Sequence, residues 1–252
     1  AGGYNPTFTN VIEYITISSE GPSIDFGDLA TNATSSTLRM GNRGCSSSTR
    51  GIFAGGYHDT PAATNLNIID YVEISTLGDA KDFGDLSETR RNAKGFVNSP
   101  TRGVYAGGVN PAFHSDMDFI TISSTGNAVN FGEIRVPTNN GTNGNISSGV
   151  RGIFGTGFAP ALTNGLEYIT IASTGNSQDF GGLSGSTSAG GGGSNSTITR
   201  GIISGFATPA ATNIIHYITI ATAGDSIDFG DLSVTRNNFP GLSDSHGGLG
   251  GF

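Results

Sequence analysis

One signal occurs five times in this chain and narrows its possible folds more than anything else does. An aromatic residue opens a short apolar-rich run, and a Phe-Gly pair follows twelve residues later. The copies begin at Tyr14, Tyr71, Phe119, Tyr168 and Tyr217 and reach Phe26, Phe83, Phe131, Phe180 and Phe229. The steps between copies are 57, 48, 49 and 49 residues. A fixed period in this range marks a repeat architecture, in which each unit buries its apolar face only against its neighbours.

Two further markers phase the unit. Arg-Gly followed by an apolar pair recurs at Arg50, Arg102, Arg151 and Arg200. A loop proline recurs at Pro6, Pro61, Pro111, Pro160 and Pro209, where a fixed φ pre-shapes one connection. The run at Tyr14 carries apolar groups on both sides (Ile12 and Tyr14 against Ile15 and Ile17), the pattern of a strand covered on both faces. The Phe-Gly segment supplies a third strand. The variable polar stretch before each Arg-Gly, including Gly190 to Gly193, is expected to be a loop with a weak outer strand. No segment holds a 3.6-residue apolar period, so helices are expected to be nearly absent.

Four strands in about 49 residues match the blade of an all-β, five-bladed β-propeller. A single domain over 1–252 is expected, with blades at 1–49, 50–101, 102–150, 151–199 and 200–245. The chain begins in the Gly-rich triplet that elsewhere follows an Arg-Gly strand, and the tail at 246–252 offers a degenerate copy of the missing strand. That segment is expected to pair into the N-terminal blade and close the ring, removing an open sheet edge. A solenoid and a trimeric fibre shaft are the rival architectures.

Only 12 Lys and Arg against a net charge of −8 disfavour a nucleic-acid partner, which requires a basic stripe. No apolar run reaches membrane-spanning length, so no membrane insertion is expected. Cys45 is the single cysteine, which excludes an intrachain disulfide and a multi-thiolate metal site and reads as a structural thiol.

Paired acids flank the repeated Phe-Gly: Asp25/Asp28, Asp82/Asp85 and Asp228/Asp231. Oxygen ligands around a Gly suit calcium. The favoured reading is a turn, with the first Asp capping amides and the second paired with one of the repeated arginines, and no cofactor. Glu13, Asp70, Asp118, Glu167 and His216 form one repeat column, read as solvated or rim-facing. His58, His114, His216 and His246 lack metal-ligand spacing, and no catalytic triad or phosphate-loop pattern occurs, so no enzyme activity is expected. The aromatic columns read as packing rather than a sugar-stacking set. Binding is assigned instead to proline-loop residues that differ between copies: Tyr4, Asn5, Phe8, Tyr57, His58, Asp59, Asn110, Phe113, His114 and Phe158. The loop at 57–67 is four residues longer than its equivalents and is expected to project furthest.

The string from Tyr217-Ile-Thr-Ile to Asp228-Phe-Gly-Asp-Leu, with Thr-Arg-Gly-Ile-Phe at 49–53, resembles kelch-like repeats of marine bacteriophage structural proteins, those of cyanophages especially. The resemblance spans all five copies, departs from ordinary kelch repeats in lacking Trp, and lacks the metal-radical site of kelch-type oxidases. It implies a non-enzymatic virion component (tail fibre, tail tip or capsid decoration) on the particle exterior. Its implied partners are other virion proteins or a host-surface glycan or protein, with homo-oligomers on a virion allowed. The alternative function is a secreted or cell-surface glycan-binding propeller.

Overall fold

The computed structural model describes all residues except 5–6, 31–37, 59–62, 139–145, 159–161, 185–192, 207–209, 238, 240 and 242–252. The described residues form antiparallel sheets and no helix, in a β-propeller-like arrangement. Sheet I pairs Val11–Tyr14 with Ile24–Asp28. Sheet II contains Arg43–Ser46, Arg50–Ala54, Ile68–Glu73 and Lys81–Asp85, in that spatial order. Sheet III repeats it with Gly95–Asn98, Arg102–Ala106, Asp116–Thr121 and Val129–Glu133. Sheet IV has Ile146–Ser147, Arg151–Phe158, Leu162–Thr170 and Gln178–Gly182. Sheet V has Gly193–Ser196, Arg200–Ser204, Thr212–Thr219 and Ile227–Arg236.

The strand expected to be weak and outermost is innermost. Gly95–Asn98 is wholly buried and lies between Arg43–Ser46 and Ile146–Ser147, which in turn neighbours Gly193–Ser196. Asn98 ties three sheets together: its side-chain amide donates to Ser46 O at 2.6 Å and its backbone N–H to Ser147 Oγ at 3.1 Å. The polar Asn98 and Ser147 are fully buried here beside the large Phe96, Val97 and Ile146, so polarity in this segment does not mark exposure. The Phe-Gly strand takes the outer edge.

Neighbouring sheets meet through one joint made four times. Phe26 packs with Val72 and Ala80, Phe83 with Ile120 and Ile122, Phe131 with Ile169 and Ile171, and Phe180 with Ile218 and Ile220. The carbonyls of Phe26, Phe83, Phe131 and Phe180 accept from the N–H of Gly78, Gly126, Gly175 and Gly224 at 2.6–2.8 Å. Two residues on, Asp28, Asp85, Glu133 and Gly182 give their N–H to the side chains of Asp79, Asn127, Asn176 and Asp225. The glycine after each Phe has φ of 138–144°, and an added Cβ would meet the next sheet's carbonyl group at about 2.4–2.6 Å. Backbone approach of this kind explains why Phe-Gly repeats while the flanking acids vary.

The arginines complete the joint instead of pairing with the Phe-Gly acids as expected. Arg50, Arg102 and Arg151 stack on Tyr71, Phe119 and Tyr168 at 4.2–4.5 Å. They also donate to Ile122 O, Ile171 O and Ile220 O in the following sheet. A planar guanidinium can do both at once. Asp228 does cap an amide as expected, accepting from Gly230 N–H at 3.0 Å.

Both outer flanks remain uncovered by such a joint among the described residues. On sheet V, Phe229 is 51% exposed and nothing lies within 4 Å of a Cβ built on Gly230. On sheet I, Ile15 and Ile17 are 51% and 64% exposed, where Ile169 and Ile171 are buried. The expected closing strand at 246–252 lies outside the described residues.

Candidate functional site

Three small ribbons emerge where the proline loops were placed: Gly3–Tyr4 with Phe8–Thr9, Tyr57–His58 with Thr64–Asn65, and Val109–Asn110 with Ala112–Phe113. Bridges from Met40 to Tyr57 and from Arg91 to Val109 anchor the second and third ribbons, and the contacts Phe8–Tyr57 and Asn65–Asn110 set the three side by side. Their side chains form a continuous ridge. The Tyr4 ring, 60% exposed, meets Phe8 edge-on at 5.2 Å, and Phe8 lies 6.0 Å from Tyr57. The Arg91 guanidinium covers the Tyr57 ring at 4.4 Å and donates to Asn65 Oδ1 at 3.1 Å. Asn65 donates to Asn110 Oδ1 at 2.8 Å, and Asn110 to Thr89 Oγ1 at 2.5 Å. His114 presents its two ring nitrogens to Asn110 O and Asp116 Oδ2, at 3.2 and 3.3 Å. Aromatic faces beside fixed amides and a stacked cation suit a sugar or a protein surface.

The ridge brings together Tyr4, Phe8, Tyr57, Asn110 and His114. His58 is buried, so it supports the ridge from below, and Phe113 is partly buried on the third ribbon. Asn5, Asp59 and four of the five loop prolines lie outside the described residues, Pro111 being the exception. Phe158 ends its strand opposite Leu162, and its side chain is also outside them. Asn65, Thr89 and Arg91 were missed. Their signal was available, since each is polar where the copies disagree, but Arg91 sits in the stretch read as a loop.

The acidic column is corrected outright. Glu13 is exposed, but Asp70, Asp118, Glu167 and His216 are at most 3% exposed. Three hold buried cations from the inner segments: Arg39 on Asp70 at 2.6 Å, Arg90 on Asp118, and Lys94 on Glu167. His216 Nδ1 faces Ser184 Oγ at 3.2 Å, and burial lowers its pKa despite Asp228. The cation partners were invisible because their sequence offsets differ from pair to pair. The aromatic columns are packing as expected, with each Tyr or Phe edge-on to its Phe at 5.9–6.2 Å.

Burial pushes the Asp70 carboxyl up to about 6, outweighing Arg39, with Asp82 adding to the rise. A raised carboxylate pKa favours the folded state at low pH. Its contribution is full below the ordinary aspartate value and is lost as pH rises through about 6. Thermal unfolding of the Asp70→Asn variant and the parent at pH 4 to 7 checks this. The parent's stability relative to the variant is expected to fall across that window, and a parallel pair of curves would refute it.

Cys45 is buried and burial raises its thiol pKa, so it is a packed, unreactive group. Among the described residues no three His, Cys, Asp or Glu side chains converge as metal ligands, and no helix is long and apolar enough to cross a membrane.

No protein-family model matches the chain, and no curated protein matches its sequence. Among solved structures, that of YjhT superposes with a TM-score of 0.66 at 11% identity, covering 87% of this chain and 77% of that one. At this identity the likeness shows the fold alone, and it is to a β-propeller-like arrangement of antiparallel sheets that the chain conforms.

Proposed function

We propose that this chain is a non-enzymatic adsorption or decoration module of a virion exterior, in a tail fibre, tail tip or capsid. Its contact surface is the ridge from Tyr4 to His114, and it binds a host-surface glycan or protein or another virion protein. The ridge carries this reading: it is the place where aromatic, amide and guanidinium groups from three unequal proline loops and Arg91 are locked together on a repeating scaffold. Tyr57→Ala and Arg91→Ala are expected to weaken binding of the purified protein to host cells at least tenfold while the melting temperature holds. Mass spectrometry of purified particles decides the setting, since absence of the chain from them removes the virion reading. A secreted glycan-binding role then stands as the alternative, with saturable binding on a glycan array as its test.

The five-bladed, closed ring belongs to the same proposal. Its support is the complementarity of the open flanks: Phe229 and Gly230 match the acceptor half of the joint, and Ile15, Ile17 and Gly21 the donor half. Pro22 stands where Asp79, Asn127, Asn176 and Asp225 accept an amide, so a joint closed by sheet I lacks that bond. Closure predicts that the Gly21 amide exchanges as slowly as Gly126 and Gly175 in a monomer of 25.7 kDa. Free exchange at Gly21 would refute the ring, and protection that appears only with dimer mass would replace it with head-to-tail assembly.

A further inference from the structure

The joint between sheets I and II differs chemically from the other three. In those, the buried column residue meets a donor from the segment after the Phe-Gly strand. Ser87 gives N–H and Oγ to Asp118, at 2.8–3.2 Å. The Arg135 N–H and the Ser177 hydroxyl both reach Glu167 Oε2, at 2.8 and 2.5 Å. The Ser184 hydroxyl faces His216. At the first joint the positions of Ser87 and Ser177 are held by Ala30 and Ala80, neither with a side-chain donor. Asp70 Oδ2 keeps Arg39, but Asp70 Oδ1, on a residue only 1% exposed, has no hydrogen-bond partner among the described residues.

Asp70 lines a cleft of about 460 Å³, together with Ala30 and Ala80. Asp28, Asp79 and Asp82 add three further carboxylates against the single ammonium of Lys81. An orphaned buried acceptor is costly, and a ligand that donates to it removes that cost. The cleft is far larger than one ion requires and falls in the size range of small organic ligands. We infer that this cleft binds a small organic ligand through an ammonium group, which donates to Asp70 Oδ1 with the neighbouring aspartates neutralising its charge.

The chemistry is shared by an amino sugar and an aliphatic polyamine, so the test uses both. Calorimetric titrations of the whole chain with glucosamine and with 1,4-diaminobutane are compared with glucose, sodium and calcium controls. Ala30→Ser restores the hydroxyl of the other joints, so it is expected to raise the melting temperature and to weaken ammonium binding at least tenfold. Asp82→Asn, which leaves Asp70 and Arg39 in place, is expected to weaken binding by a smaller factor. Glucosamine binding alone identifies an amino sugar as the source, and diaminobutane binding alone a polyamine. Unchanged affinity in Ala30→Ser, equal displacement by sodium, or tighter binding of calcium than of either amine would each overturn the proposal. None of these outcomes bears on the ridge, whose variants are read separately.

Discussion

Gly132→Ala is expected to lower stability by about 3 kcal/mol or more, among the largest effects of any single methyl added to this chain. Two physical terms combine. Gly132 holds φ at 144°, which an L side chain rarely adopts, and its new Cβ would lie 2.4 Å from Gly175 O. That carbonyl belongs to the neighbouring sheet, so relief requires sheets III and IV to separate, with loss of the Phe131–Ile169–Ile171 packing. Gly230→Ala is the informative control. Gly230 has nearly the same φ, 141°, with nothing within 4 Å among the described residues, so an uncovered sheet V would leave only the backbone term, about 1–2 kcal/mol. In the proposed closed ring sheet I covers Gly230, so chemical denaturation is expected to give equal losses for the two variants, and a clearly smaller loss at Gly230 would count against closure.

Asp118→Ala is the second. Arg90 is fully buried and divides its donors between Asp118 and the Asp116 carbonyl, with Ser87 filling the remaining Asp118 sites. Removing the carboxylate strands a guanidinium in the core, and losses for such half-broken pairs run to about 3–5 kcal/mol. The joint variant Arg90→Met with Asp118→Leu removes both charges and is expected to recover most of that loss. A single variant no less stable than the parent would show that water reaches Arg90 readily. The interaction energy from the full double-mutant cycle measures the pair itself.

The sheets were legible because their signals are local and repeated: Arg-Gly, the Tyr-Ile-Thr-Ile run and Phe-Gly mark three of four strands wherever sheets II to V occur. The fourth was placed at the wrong edge. Polarity and length variation ordinarily mark a surface, but where these strands converge Asn98 and Ser147 are buried and bonded between neighbouring sheets. The acid column failed for a related reason. Asp70, Asp118 and Glu167 are charged, and burial of a charge is unreadable until its partner is known. Arg39, Arg90 and Lys94 stand 31, 28 and 73 residues away in sequence. On the ridge, Tyr57 and Asn110 were legible because they sit in the proline loops, whose lengths and residues vary between copies, while Arg91 needed the fold to bring it across.

A joint made four times between successive sheets alone has a mechanical consequence. Each sheet's hold on the molecule is set by its two neighbours, so the structure has no central keystone whose loss frees everything at once. Under a pulling force, a ring closed only by the weaker Pro22 joint would open there first. The four remaining joints would then yield one by one, each adding the length of a repeat to the tether. An attachment protein built this way would absorb a tug in steps rather than all at once.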